Sequence, residues 1–283
     1  MSLASVSVDS IASRIGDGAV IPYLGPGMLA LCPDASVPAT SVALAQLMTA
    51  KVSVPHKIRN RLTQAAQFIE NFKHRKSVVS LMNDAFGMTP TPSALHRALA
   101  SSGAGLYVDS WYDDTFAAAL AGARAGGQWA QVQGQSQAEH FGRWFGAYDA
   151  LGAPLADVPE SGALLYKPIG SRAPASNYLV SDSDYVEVLT EIDIQTPIPP
   201  AVQAWRTGRS FLFLGCRFDD QLARSFARQI MKRSSDVHWA VLPDEPTRME
   251  ARFLNEQRIT RIATPLATFA DELVSALRPA LAA

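Results

Sequence analysis

Six short, mainly apolar runs, at positions 19–24, 106–108, 164–166, 211–214, 237–242 and 261–263, limit this chain to few folds. Their apolar character is near-continuous rather than alternating, the pattern of strands buried on both faces. Stretches of helical period lie between them. Phe68, Ile69 and Phe72 begin one, and Val78, Val79, Met82 and Phe86 mark another. Residues 115–124 are alanine-rich and follow Asp113 and Asp114, two residues suited to cap a helix and complement its dipole. Within 221–232, Leu222, Phe226 and Ile230 recur one turn apart. Strands alternating with helices predict an α/β fold: a Rossmann-like, doubly wound parallel sheet of about six strands with helices on both faces.

The spacing is uneven. About eighty residues separate the first run from the second, too many for one crossover. The segment from about 30 to 100 is therefore expected to form an inserted helical subdomain, and about 101–270 the rest of the core, in a single domain over 1–283. Residues 126–139, GGQWAQVQGQSQAE, are polar and glycine-rich and read as a loop. Residues 192–205, IDIQTPIPPAVQAW, place three prolines before a helix-like stretch and read as a connection.

Composition narrows the function classes. Hydrophobic residues make up 48% of 283, enough for a substantial core. A formal net charge of −1 gives no bulk attraction to nucleic acid or acidic membranes. No apolar run approaches the ~20 residues of a membrane span. The start, MSLASVSVDS, lacks the basic and apolar regions of a signal peptide, so a cytoplasmic protein is expected. Cys32 and Cys216 form no CxxC pair, which excludes a four-cysteine zinc site, and both read as buried small hydrophobes. His56, His74, His140 and His238 lack metal-ligand spacing, so no metal is expected; His96 reads as a packing or capping residue.

Four runs end in turns. The first reads YLGPGML, and glycines behind a strand let the backbone approach a phosphate. Gly-Pro-Gly is equally an ordinary turn, and Pro26 has no N–H, so a cradle at Gly25, Pro26 and Gly27 has one donor fewer than usual. The second, VDSWYDDTFAAAL, offers Asp113 and Asp114 as helix caps or as catalytic carboxylates. The third, LLYKPIGS, carries Lys167, Gly170 and Ser171; Lys167 reads either as a phosphate contact or as a solvated lysine. The fourth, FLFLGCRFDDQLARSFARQI, carries Gly215, Cys216 and Arg217, with Asp219 or Asp220 capping a helix. Arg217 would reach a ligand phosphate or pair with an aspartate. On a parallel sheet these turns share one edge, where open α/β sheets bind ligands. No GxSxG, HExxH or Walker A pattern occurs.

Taken in order, these stretches resemble the sirtuin-like domain family (the silent-information-regulator type), especially its zinc-free bacterial branch. That family's pattern runs strand-Gly-Ala-Gly-x-Ser, PSPIHRALA, TTNYDDLLEAAL, KLHGS, DDY and LFLGYSFxDxxLR. Here stand YLGPGML, PSALHRALA, DSWYDDTFAAAL, YKPIGS, SDSDYVEVL and LFLGCRFDDQLAR. HWAVLPDEPTRMEARFLNEQRITRI is similar to the branch's last strand–helix–strand unit, so the resemblance extends from residue 19 to 262. It implies a cleft for nicotinamide adenine dinucleotide (NAD) between sheet and helical insertion. Gly25, Pro26, Gly27, Asp113, Lys167, Gly170, Ser171, Gly215, Cys216 and Arg217 are then the candidate binding residues.

The departures fall on the chemistry. The family's asparagine, which helps hold the water or the ribose, is Trp111 here, and its histidine base near the ribose is Ile169. Isoleucine neither accepts a proton nor donates a hydrogen bond. The cradle's alanine and serine are Pro26 and Leu29. A retained scaffold without its original catalysis is the expected result. It would hold NAD or an ADP-ribose-like nucleotide, or nothing, and act through a protein partner, with a homo-oligomer also open. Residual binding is expected to favour AMP or ADP-ribose over intact NAD. The alternative is an active NAD-consuming enzyme, an NAD glycohydrolase, in which Asp109, Tyr112 or Asp113 stands in for the missing groups.

Overall fold

The structure is a computed structural model, and it describes residues 7–124, 126–191 and 197–277. Helix α1 (Val8–Gly16) is capped by the Ser7 hydroxyl and leads into strand β1 (Val20–Leu24). A short 3-10 turn over Pro26–Leu31 follows. Three helices then come in succession, α2 (Ser41–Lys51), α3 (Leu62–Lys73) and α4 (Arg75–Ala85). Their buried positions, Leu44, Met48, Ile69, Val78 and Met82, recur at helical spacing. Phe72, grouped with this apolar face in the sequence, points outward at 67% exposure. Helix α5 (Ala94–Ala100) begins with a capping box in which His96 takes the place usually held by Glu or Gln, hydrogen-bonding back to Ser93.

Strand β2 (Leu106–Asp109) and helix α6 (Thr115–Ala123) come next. Residues 126–139, expected as a loop, contain strand β3 (Trp129–Gly134). It is followed by β4 (Phe145–Asp149), the two-residue β5 (Pro154–Leu155) and β6 (Ala163–Lys167). A small hairpin of β7 (Gly170–Ser171) and β8 (Asn177–Tyr178) precedes α7 (Asp182–Glu191). The proline-rich connection lies partly outside the described residues, at 192–196, and its helix-like end is α8 (Pro200–Arg206). The chain continues through β9 (Ser210–Leu214), α9 (Gln221–Ile230), β10 (His238–Val241), α10 (Arg248–Glu256), β11 (Ile259–Ile262) and α11 (Leu266–Leu277).

Nine strands, rather than about six, form the main sheet, in the order β11-β10-β9-β1-β2-β6-β3-β4-β5. From β11 to β3 every pairing is parallel; β4 and β5 extend the edge antiparallel. Successive residues of the central strands enter two separate cores. Val20, Leu24, Tyr107, Leu212 and Leu214 pack with α1, α5, α6 and α11. Ile21, Tyr23, Leu106, Val108, Phe211 and Phe213 pack on the other face with α2, α3, α4, α9 and α10. That double burial is why these strands read as continuous apolar runs.

β3 escaped the sequence reading because Gln131 and Gln133 interrupt its apolar character. Both are buried, and their amides donate to the Ser171 hydroxyl and the Ala173 carbonyl at 2.6–3.1 Å. Acceptors about forty positions along the chain thus satisfy a strand that looks like a loop by itself.

Candidate functional site

From β1 the chain moves to β2 on one side, and later from β9 to β10 on the other. The strand order therefore reverses between β1 and β9, and the C-terminal ends of those two strands form the topological switch point. The Gly25-Pro26-Gly27 turn follows β1, and Gly215 follows β9, so two of the candidate turns meet there. Gly170 lies just beyond β6 on the same edge.

The two glycine turns close on each other. The Gly25 amide donates to the Leu214 carbonyl and the Gly27 amide to the Gly215 carbonyl, both at 2.9 Å. The Met28 amide returns to the Gly25 carbonyl at 3.1 Å. Pro26 has no donor. Every amide from residue 25 to 28 is thus engaged within the protein. A Cβ on Gly25 would lie 2.6 Å from the Gly215 carbonyl oxygen and 2.7 Å from Cys216 Sγ; one on Gly27 would lie 2.8 Å from that same oxygen. Glycine serves here to let two turns touch. Gly215 itself has φ +65, the left-handed region that favours glycine.

Beside this contact lies a buried ion pair. Lys167 Nζ donates to Asp109 Oδ2 at 2.6 Å and to the Asp113 carbonyl at 2.7 Å. Lys167 is wholly buried, which corrects the reading of a solvated lysine. Asp109 Oδ1 accepts from the Trp111 amide at 3.1 Å. Burial pushes the Asp109 carboxyl up, against the pull of the lysine. The Asp113 carboxylate accepts from the Thr115 amide at the start of α6 at 3.0 Å, whereas Asp114, the N-cap residue, makes no side-chain cap and accepts from the Ala173 amide at 3.4 Å. Cys216 is buried against the carbonyls of Tyr23 and Leu214, and burial raises its thiol far above its usual range. Cys32, expected to be buried, is partly exposed.

Of the substituted positions, Leu29, Trp111 and Ile169 are buried. Trp111 is 5% exposed, donates its indole N–H to the Pro38 carbonyl at 2.7 Å and packs edge-on to Phe86. Leu29, Trp111, Tyr112, Ile169 and Phe218 belong to one apolar cluster with residues of α2, α3 and α4. Tyr112 is engaged as well, donating its hydroxyl to the Leu179 carbonyl at 2.7 Å. Ser171 receives Gln131 and Gln133. Arg217 makes a two-point pair with Glu250, at 2.9 and 3.0 Å, and reaches Asp244 at 3.0 Å. Burial raises the Glu250 carboxyl, but Arg217 and the Thr247 and Phe218 amides outweigh it and hold it down to about 2. The structure thus brings Gly25, Gly27, Gly215, Cys216, Lys167 and Asp113 together on one edge and occupies their polar groups with one another or with neighbouring backbone. The sequence offers Asp109 only as a catalytic substitute. Its role as the counterion of Lys167, 58 positions away, leaves no local signal. A cavity of about 1030 Å³, between β4, β5 and α8, is lined by none of the candidates.

A family model described as SIR2-like domain matches residues 105–262, more than half of the chain. None of the curated proteins matches it. A solved structure described as "Structural Basis for the Mechanism and Regulation of Sir2 Enzymes" is similar at 9% identity and a TM-score of 0.46, with 96% of this chain and 97% of that chain covered.

Proposed function

The chain belongs to the family of SIR2-like domains, and from that membership we propose that it is a catalytically silent, sirtuin-like scaffold. Its nucleotide cleft is closed by its own side chains, and it acts through its outer surface on a protein partner. One observation carries this reading: the backbone amides that would cradle a phosphate at the switch point are bonded to the facing β9 turn. The residues present do not fit a dinucleotide. Bringing a pyrophosphate against Gly25 and Gly27 requires the Gly215 backbone to leave, and Trp111 and Ile169 supply bulk where the family's catalytic polar groups would stand.

One feature favours the second reading, an NAD glycohydrolase. Asp109 is a carboxyl displaced upward by burial at the correct edge of the sheet, and such groups serve as general bases. Its commitment to Lys167 and to the Trp111 amide weighs against that role.

The test is purified protein with NAD. The expected result is no release of nicotinamide, and calorimetric titrations in which intact NAD binds no better than AMP or ADP-ribose. A missing base alone removes about 10²–10⁴-fold in rate. Turnover abolished by Asp109→Asn, or NAD binding tighter than ADP-ribose, would overturn the reading. Trp111→Asn combined with Ile169→His asks whether the rest of the site survives, and recovery of turnover would show that it does.

A further inference from the structure

A second cavity, of about 370 Å³, lies at the opposite edge of the sheet, where the parallel strands begin. The turn between α9 and β10 and the turn between α10 and β11 form its walls. Three arginines line it, Arg228, Arg233 and Arg258, together with the carboxylates Asp236 and Glu256. His238 lies behind them, and burial holds its imidazole down to about 4, so it is neutral near pH 7. The pairs Arg228–Glu256 and Arg258–Asp236 are both solvent-exposed, and such pairs hold their charges loosely. The Arg233 guanidinium makes no hydrogen bond or ion pair among the described residues.

The backbone gives a second, independent observation. Three non-glycine residues have positive φ among the described residues, and two of them, Arg233 at 67° and Arg258 at 54°, border this one cavity. Both follow helix ends, where the left-handed position is usually glycine. A side chain there is disfavoured by its own Cβ. Two separate turns thus accept arginine at positions that favour glycine, and each projects toward the same concave surface. Strain retained at paired positions points to a use for the side chains. Behind them, Arg206 is lowered from its usual range by burial and, to a lesser extent, by the charge of Arg233.

We infer that this cavity is a binding site for a small phosphate-bearing molecule, gripped by the Arg233 and Arg258 guanidinium groups. Its size lies at the lower end of small-ligand sites, and guanidinium matches phosphate in a two-point geometry. The site stands apart from the switch point and does not depend on what becomes of the cleft.

The experiment uses the full chain with pyrophosphate and AMP, by isothermal titration and thermal shift, against sodium chloride of equal ionic strength. Saturable binding with a Kd below about 1 mM is expected for at least one of them. AMP binding more tightly than pyrophosphate assigns the site to a nucleotide; the reverse assigns it to a free polyphosphate. Arg233→Gly and Arg258→Gly are the decisive variants. Each removes a guanidinium and relieves a left-handed side chain. Affinity is expected to fall at least about tenfold, while the melting temperature stays level or rises. If the arginines merely finish helix ends, the variants gain stability and bind the anions as the parent does. That result, or no heat beyond the chloride control, overturns the proposal. Loss of binding in Arg233→Gly also locates the site here rather than at the glycine turns.

Discussion

Gly25→Ala tests whether the switch point is closed. The backbone at Gly25 is extended, with φ −110 and ψ 176, so alanine meets no conformational penalty there. The cost is steric alone. The added Cβ would lie 2.6 Å from the Gly215 oxygen, 2.7 Å from Cys216 Sγ and 2.9 Å from Cys216 Cα. Two of these three atoms are backbone, and the β9 turn must move several tenths of an ångström while it holds two hydrogen bonds to the same loop. Overpacking of this kind costs about 1–3 kcal/mol. For a chain of this size that lowers the melting temperature by roughly 2–12 °C. Gly27→Ala should cost a similar amount, and the double variant less than the sum, because one displacement of Gly215 accommodates both. Gly215→Ala should be the worst of the series, since it adds a left-handed alanine to a 2.4 Å approach to the Met28 nitrogen. Cys216→Ala in the Gly25→Ala background removes only the sulfur contact and should restore less than half. Urea denaturation followed by tryptophan fluorescence gives the values. A Gly25→Ala protein within about 1 °C of the parent would refute the reasoning, because the two turns would then separate freely and leave room for a ligand.

Other outcomes follow from the buried charges. Glu250 is held at about 2 against an ordinary 4.5, so its stabilisation is full above pH 4.5 and is lost as pH falls toward 2. The loss should be about 3 kcal/mol, and Glu250→Gln should flatten that part of the pH–stability curve; a curve unchanged by the substitution counts against the assignment. Lys167→Met strands a buried carboxylate and should cost about 3–5 kcal/mol. Adding Asp109→Asn should recover much of that, and a double variant as unstable as the single one would show that the two do not act as a pair. Trp111→Ala should cost about 3–5 kcal/mol, as emptying a packed position does, and chemical denaturation would read a far smaller value if the indole hung free in a cleft.

The parallel core was legible because its strands are buried on both faces. Val20 to Leu24 and Ser210 to Leu214 need nothing but their own composition to be recognised. β3 was not legible, since Gln131 and Gln133 become acceptable inside a sheet only when the segment around Ala173 supplies acceptors. The shared edge of the candidate turns followed from strand direction alone. Their accessibility did not, because it depends on where backbone groups point. Gly-Pro-Gly has the same letters whether its amides face a ligand or another turn. Lys167 and Arg217 likewise carry no mark of Asp109 and Glu250, their partners far along the chain.

The position of β1 has a consequence for synthesis on the ribosome. It is the first strand made, yet it occupies the middle of the sheet, between β2 and β9. Its register with β9 pairs Val20 with Ser210 and Leu24 with Leu214. Until residues near 210 have emerged from the exit tunnel, one whole edge of an entirely apolar strand stays unpaired. Such an edge recruits other strands, and the delay is long because translation adds only about 5–20 residues each second. The nascent chain therefore passes through an interval of seconds or more in which a chaperone would shield β1. A chain terminated just before β9 should aggregate, although it already holds α2, α3 and α4 and much of the sheet.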